Sequence, residues 1–346
     1  MALLRAFSAL AVLALSLPLA AQSPSYKDNP EFQKKWAEAG QVGKKSDPTF
    51  AIDFYWKAFK ISNGECMECL TQIMHFGLIA GDHGQVRKAA NLIEQSSAAT
   101  PSEKVSAKVT RVLLMLRGRH KTETMTEALS TLQEAIALDS KNEKIFYLQG
   151  KVLAEMKRND EAANAFREYL KLAPARDALR TRVAKFVDDP SLSLRNMAPP
   201  FALTTLDGKR FNLDAMDGRV VLIDFWATWC GPCNEELPHM KRLAAQFKDE
   251  PFVLLSVSWD SNEAAWKGFI SKNEMTWSQF RDSTHQLSRV FGVDAIPHYF
   301  TIDSDGVLQA ENVGSGSDID GRIRRLVAKA KKDAAARHTS SEMTGQ

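Results

Sequence analysis

Two cysteines that lie three positions apart are the residues of this chain best suited to chemistry. Cys230 and Cys233 follow the apolar run 220–226 and precede the helix-like stretch 235–247, so a strand is predicted to deliver both sulfurs to the start of a helix. Unpaired N–H groups and the positive dipole end at a helix N-terminus stabilise Cys230 as a thiolate, the nucleophile of thiol–disulfide exchange. The spacing places Cys233 one turn later, where it can attack a mixed disulfide formed on Cys230.

The residues around the two cysteines make the pair more specific than a bare C-x-x-C. Pro232 suits the first turn of a helix, where no backbone N–H is needed, and Trp229 and Gly231 complete the segment. A bare C-x-x-C also occurs in zinc sites, so a zinc half-site and an inert disulfide are the alternatives. Asn234 stands where a haem site requires histidine. We expect neither a metal nor a cofactor here.

The elements that must position this pair alternate between strands and helices. Helical periodicity stops at a proline within 188–194, and the strand-length apolar runs 252–257 and 298–302 come after it. Helical patterns at 263–273 and 284–291 lie between those runs. This alternation predicts an α/β sheet domain.

Five segments of the second half carry a resemblance to a known family. They are Ala198–Leu203, Leu206–Lys209, Asp224–Pro238, Gly292–Pro297 and Ile302–Gly306. Together they resemble the thioredoxin superfamily, and specifically its exported or membrane-anchored TlpA/ResA-like thiol-disulfide oxidoreductases with an AhpC/TSA-type redoxin domain. The resemblance covers about two fifths of the chain and implies a thioredoxin-like domain over residues 195–332.

The resemblance implies roles for two residues besides the cysteines. Asp224 lies in the central strand run, and a buried carboxyl there would have its pKa raised by desolvation, which prepares it to take the proton of Cys233. A partly solvated acid at a strand end is the alternative. No lysine occurs in 252–257 to act as its charge partner. Pro297 matches the family's cis-proline, which lies beside the sulfurs and helps to hold an extended substrate.

Four neighbouring residues are weaker candidates. Ile296 and His298 flank the expected cis-proline and are candidates for tuning substrate choice or potential, although a histidine there can also be merely solvated. Glu236 and Pro238 match the helix after the cysteines in the exported branch. Glu236 can equally be a charge favoured by the start of a helix.

The region before the sheet domain is predicted to be all-α. Ala128, Leu132 and Leu138 recur as Ala162, Phe166 and Leu172, 34 positions later, and Pro174 follows. This period resembles the tetratricopeptide repeat, a pair of antiparallel helices that must stack on neighbours. Phe146 and Gly150 fit the close approach inside one unit, and Val183, Phe186 and Val187 suit a closing helix. Earlier, degenerate units are indicated by Tyr55, Ala58, Ala89, Ile93 and Pro101.

The repeats are expected to span residues 22–190 and to bind partner proteins. A helical bundle without a ligand is the alternative. Residues 333–346 lack an apolar face and are predicted to be a disordered tail.

The first 21 residues read as an export signal. Arg5 precedes an apolar run from Ala6 to Leu19, and Ala20-Ala21 comes before polar residues. The run is shorter than the roughly 20 residues of a membrane span, which predicts a signal peptide cut after Ala21 and a periplasmic protein. An uncleaved membrane anchor is the alternative, because Leu19 is an imperfect residue for a cleavage site.

The predicted export and the composition limit which kinds of partner are expected. An exported dithiol lies in an oxidising compartment, and protein disulfides are its expected substrates. A membrane or envelope electron donor must then reduce the dithiol again, and transient association with the membrane is possible. The net charge of +3 over 346 residues gives no electrostatic argument for nucleic acid, and no nucleic-acid partner is expected.

A second pair, Cys66 and Cys69, also has the C-x-x-C spacing and follows Asn63-Gly64 at a predicted helix start. A structural disulfide is the leading interpretation, and a second redox pair or free thiols are the alternatives. Leu70 rules out a haem motif here.

The predicted function is reduction of disulfides in exported proteins. Two other classes stay open. A thiol peroxidase shares the Ala-Pro-x-Phe opening, but Ala227 stands where that class needs threonine or serine, and no proline lies between Val220 and Cys230. A non-catalytic repeat scaffold is disfavoured by the intact cysteines.

Overall fold

The computed structural model describes residues 25–45, 48–117, 121–216, 218–315 and 318–344. The predicted signal peptide, residues 1–21, lies outside the described residues. Among the described residues, no helix combines the length and the hydropathy that a membrane span needs.

The first half is helical, as the sequence predicts. Its helices are α1 (Pro30–Lys45), α2 (Pro48–Ile61), α3 (Met67–Ala80), α4 (His83–Gln95), α5 (Pro101–Met115), α6 (Thr122–Leu138), α7 (Glu143–Glu155), α8 (Asn159–Leu172) and α9 (Arg180–Asp188). The positions that define the 34-residue period fall on α6 and α8, while the assignment of these pairs as tetratricopeptide repeats stays a prediction.

Helices α7 and α8 approach closely at a glycine. A Cβ atom on Gly150 would overlap the ring of Phe166, which is fully buried. The ring of Phe166 also packs at 5.4 Å from that of Phe186 on α9, and Val183 of the same helix is buried. The close approach at Gly150 and the packing of α9 are therefore as predicted.

The second half contains a five-stranded sheet. Its strands are β3 (Val220–Trp226), β4 (Phe252–Ser258), β5 (Ser278–Arg281), β6 (His298–Ile302) and β7 (Leu308–Val313), in the order β5-β4-β3-β6-β7; β1 (Ala202–Thr204) and β2 (Arg210–Asn212) form a separate antiparallel pair. Strands β3, β4 and β5 are parallel to one another, and β6 and β7 run antiparallel. The helices are α10 (Gly231–Gln246), α11 (Glu263–Lys272), α12 (Gln286–Phe291) and α13 (Ile319–Thr344).

Central strand β3 is buried along its whole length, and its two faces pack into two different hydrophobic clusters. Val221, Ile223 and Phe225 belong to one cluster, whereas Val220 and Leu222 pack with residues of α10 and α13. Because side chains alternate along a strand, Asp224 shares the face of Val220 and Leu222. The sheet therefore places this carboxyl on the side of α10, the helix that carries the cysteines.

The chain divides into two compact units, one ending at Arg111 and one beginning at Val112. The predicted join at 188–194 lies inside the second unit and stays a prediction, and α9, which precedes it, contacts the sheet domain. The buried Arg182 on α9 donates to Asp214 Oδ1 over 2.8 Å and to the carbonyl of Ala198 over 2.7 Å. The proline near 190 ends a helix, and the shared core continues past it.

The last helix also differs from expectation. Residues 333–344 continue α13 as helix where the sequence analysis expected a disordered tail. Val327 and Ala330 are the last buried residues of this helix in the described range, and Ala334–Ala336 favour helix by propensity without an apolar face.

Candidate active site

Cys230 and Cys233 lie at the junction of β3 and α10. Cys230 is the N-cap of α10, its Sγ accepts a hydrogen bond from the Cys233 N–H over 3.2 Å, and the two residues form a disulfide. Gly231 and Pro232 occupy the first turn, as predicted. After reduction, the free N–H groups of this turn stabilise a thiolate on Cys230.

The loop that carries Trp229 is held by an acid that the sequence analysis did not single out. Asp260 is buried and accepts hydrogen bonds from the Thr228 N–H (3.0 Å) and hydroxyl (2.6 Å). The Asn234 side chain donates to the Thr228 carbonyl over 3.0 Å. Trp229 itself is 66% exposed beside the disulfide. Asp260 could have been found from its position just after β4, since the ends of the neighbouring parallel strands β3 and β4 meet at one edge of the sheet.

The Ile296–Pro297 peptide bond is cis, as the resemblance implied. The carbonyl oxygen of Ile296 lies 3.9 Å from Cys230 Sγ. The carbonyl of Pro297 instead accepts the Gly314 N–H over 2.8 Å. The backbone group beside the sulfur is therefore that of Ile296, while Pro297 is tied to the end of β7.

Asp224 is 5% exposed. Its pKa is raised to about 7, chiefly by burial and further by the charge of Glu236. The Ser256 hydroxyl, which donates to Oδ2 over 3.0 Å, lowers the pKa of Asp224. Ser256 faces Asp224 across the β3–β4 ladder, within the run where no lysine was found. The geometry agrees with the buried acid that was predicted rather than with a solvated one at a strand end.

Glu236 lies in a small charged cluster on α10. Its Oε2 is 3.0 Å from His239 Nδ1, and the other ring nitrogen of His239 contacts Asp320 on α13. Burial lowers the pKa of His239, but the hydrogen bonds to Asp320 and Glu236 raise it by more, so it lies above its usual value. Pro238 lies inside α10. These contacts hold Glu236 in place. The contact of His239 with Glu236 was not predicted from the sequence.

His298 begins β6 and is buried. It stacks on Phe300 with ring centroids 4.7 Å apart, and its Nε2 is 2.9 Å from Glu311 Oε1. This differs from the solvated alternative, while a role in tuning stays a prediction.

The second cysteine pair is also a disulfide. Cys66 is the N-cap of α3, and both Cys66 and Cys69 are fully buried in a cluster with Phe32 and Ala58. No attacking thiol can reach these sulfurs in this conformation, which favours the structural interpretation.

Comparison with known proteins concerns the sheet domain. The pattern described as the AhpC/TSA family matches residues 194–311. "Thiol-disulfide oxidoreductase ResA" of Bacillus thuringiensis (strain Al Hakam) is 27% identical over 143 residues, which are 41% of this chain and 83% of that one. ResA of Bacillus thuringiensis subsp. konkukian (strain 97-27) is 30% identical over 129 residues, 37% of this chain and 75% of that one.

A solved structure, that of "a putative Thiol:disulfide interchange protein DsbE from Chlorobium tepidum", is 29% identical and covers 39% of this chain and 96% of that one, with a TM-score of 0.36. The family assignment rests on the sequence relatives, which match the part of the chain that holds Cys230 and Cys233. The chain therefore belongs to the thiol-disulfide oxidoreductases of the thioredoxin superfamily.

Proposed function

We propose that this chain reduces disulfides of exported proteins. The observation that carries the proposal is the Cys230–Cys233 pair at a helix N-terminus with the Ile296 carbonyl 3.9 Å from Cys230 Sγ. This arrangement pairs a stabilised thiolate with an adjacent backbone group that an extended substrate can bind.

The reaction proceeds by two exchanges. The Cys230 thiolate attacks a substrate disulfide, one substrate sulfur leaves as a thiolate, and a mixed disulfide forms. The Cys233 sulfur then attacks Cys230 Sγ, which releases the second substrate thiol and leaves the Cys230–Cys233 disulfide. Two electrons pass to the substrate, and a dithiol donor in the envelope must restore the reduced pair.

Asp224 accepts the proton that Cys233 gives up. Its buried carboxyl, with a pKa of about 7, is divided between its two protonation states near neutral pH. Such a group can take a proton and later return it. Glu236 lies on the same helix as Cys233 and contributes to this balance.

The repeat helices α1–α8 are assigned to partner recognition, and α9 is the closing helix. They supply surface that dithiol exchange does not need, and Phe50 on α2 and Ile79 on α3 expose large apolar side chains. An envelope location, through the signal predicted at residues 1–21, is part of the same proposal.

Trapping tests the exchange. Reduced Cys233→Ser protein should accumulate mixed disulfides with its substrates on Cys230, and the double variant Cys230→Ser with Cys233→Ser should trap none. Alkylation of the reduced protein at mild pH should label Cys230 before Cys233; preferential labelling of Cys233 would reverse their roles. An insulin-reduction assay run beside a peroxide-consumption assay separates a disulfide reductase from a peroxidase, and the absence of both activities would favour a scaffold.

A further inference from the structure

A chain of two hydrogen bonds reaches Asp224 from the far side of β4. Trp277, just before β5, donates its indole N–H to Ser256 Oγ over 2.8 Å. The Ser256 hydroxyl donates in turn to Asp224 Oδ2 over 3.0 Å. Ser256 has no exposed surface and Trp277 is partly buried, so water does not replace the middle of this chain.

The chemistry of the donors gives the chain one direction. An indole nitrogen can only donate, so Trp277 occupies an acceptor site of the Ser256 oxygen. The hydroxyl proton is then directed at Asp224, where an ionised carboxylate accepts it best. The indole does not relay a proton at neutral pH. The proton of Asp224 therefore does not leave through Trp277.

Burial and Glu236 favour the neutral form of Asp224, and the neighbouring phenol of Tyr299 is uncharged. Glu236 on α10 raises the pKa of Asp224, as does burial itself. Tyr299 lies opposite Asp224 in the β3–β6 register, and burial together with Asp224 raises the pKa of that phenol, which keeps it uncharged. The Ser256 hydroxyl is the contact that opposes these effects.

We propose that Ser256 and Trp277 are positioning residues for the exchange reaction, which keep Asp224 able to ionise and so to accept the Cys233 proton. This rests on the proposed function, in which Asp224 is the proton acceptor. Trp277 acts through Ser256, because its indole N–H donates to Ser256 Oγ. The segment that precedes β5 thereby contributes to the chemistry of β3.

The first test titrates the Asp224 carboxyl directly, by carbon NMR of the full-length oxidised protein, in which Cys230 and Cys233 do not titrate. Ser256→Ala should raise the midpoint by about one pH unit, a tenfold change in the ionisation equilibrium. Trp277→Phe should raise it by less, because the Ser256 hydroxyl remains but loses its fixed direction.

Two matched variants serve as controls. Trp266→Phe removes a buried indole N–H that has no hydrogen-bond partner among the described residues. Ser258→Ala removes a hydroxyl from the same strand that donates to Asp260. Neither should move the Asp224 midpoint. An unchanged midpoint in Ser256→Ala, or an equal shift in Trp266→Phe and Trp277→Phe, would overturn the proposal.

The second test follows resolution of a mixed disulfide against pH. Since the Asp224 pKa is about 7, a rise of one unit lowers its ionised fraction at pH 7 about fivefold, and Ser256→Ala should slow resolution accordingly. Its rate should recover at higher pH, which a merely structural defect would not produce. If Asp224→Asn resolves as fast as the unaltered protein, the proton step of the proposed function fails, while the titration still decides whether the hydrogen-bond chain sets the midpoint.

Discussion

Arg182 and Asp214 form a buried ion pair that ties α9 to the sheet domain. The Arg182 side chain is 7% exposed and that of Asp214 is 3% exposed. Arg182 also bonds the Ala198 carbonyl, so a single guanidinium satisfies acceptors on two segments of the redox domain. The sheet domain is therefore completed by a helix that precedes it in sequence.

Replacing Arg182 with methionine should destabilise the protein by about 3–5 kcal/mol, because Asp214 would remain buried without a countercharge. Adding Asp214→Leu should recover most of that loss. Denaturant unfolding of the three proteins measures both effects. A fragment beginning at Arg195 should be less stable than one beginning at Lys121, which retains α9; equal stabilities would show that the pair does not join the two parts.

Asp224→Asn should change how stability depends on pH. The carboxyl has a pKa near 7 in the folded protein and 3.8 as its ordinary value. Below about pH 4 it is neutral in both states. Between pH 4 and 7 the unfolded chain ionises first, so stability falls as pH rises, by on the order of 4 kcal/mol in total.

The asparagine variant should remove this fall and be the more stable protein at pH 8. Urea unfolding at pH 4, 6 and 8 checks the slope, with the exposed Asp249→Asn as a control that should leave it unchanged. A slope that survives in Asp224→Asn would assign the effect to another group.

Removing the second disulfide should affect stability rather than exchange. Closure of a four-residue loop stabilises by only about 2 kcal/mol in the chain-entropy model, so Cys66→Ala with Cys69→Ala should lower unfolding free energy by about that amount. Insulin reduction through Cys230 should persist. Loss of exchange in a variant that remains folded would identify Cys66–Cys69 as an electron relay.

Gly150→Ala should destabilise the packing of α7 on α8. The new Cβ would overlap the Phe166 ring, and such overpacking costs about 1–3 kcal/mol. Gly268→Ala on α11 is the matched control, because its Cβ would meet no atom of the described residues within 4 Å. That variant should be neutral or more stable by up to about 1 kcal/mol. Thermal unfolding of both compares them directly.

Local patterns sufficed for the elements around the dithiol. The runs 220–226 and 298–302 become β3 and β6 with those bounds, and α10 begins at the cysteines. Gly150 was found for the same reason, since it lies in a repeat whose spacing is visible. These features depend on residues close together in sequence.

The missed features depend on contacts between distant segments. Asp260 reaches Thr228 across 32 positions, and Arg182 reaches Asp214 across the same number. Ser256 lies in a strand and Trp277 in a loop, and only the folded sheet connects them to Asp224 by hydrogen bonds. No spacing pattern identifies the hydrogen-bond partner of a single serine, tryptophan or aspartate. These contacts therefore could not be predicted from one sequence.

Because the Cys66–Cys69 sulfurs are shut away from solvent, the protein in this conformation can hold only one exchangeable electron pair, at Cys230 and Cys233. Under the proposed function, the donor must therefore reduce the Cys230–Cys233 disulfide after each substrate before the next substrate can react. Turnover takes the form of two alternating half-reactions at one dithiol, which gives ping-pong kinetics. The oxidised substrate reacts with the reduced pair and the donor reacts with the disulfide, so an excess of oxidised substrate cannot raise turnover above the rate at which the donor reduces the Cys230–Cys233 disulfide.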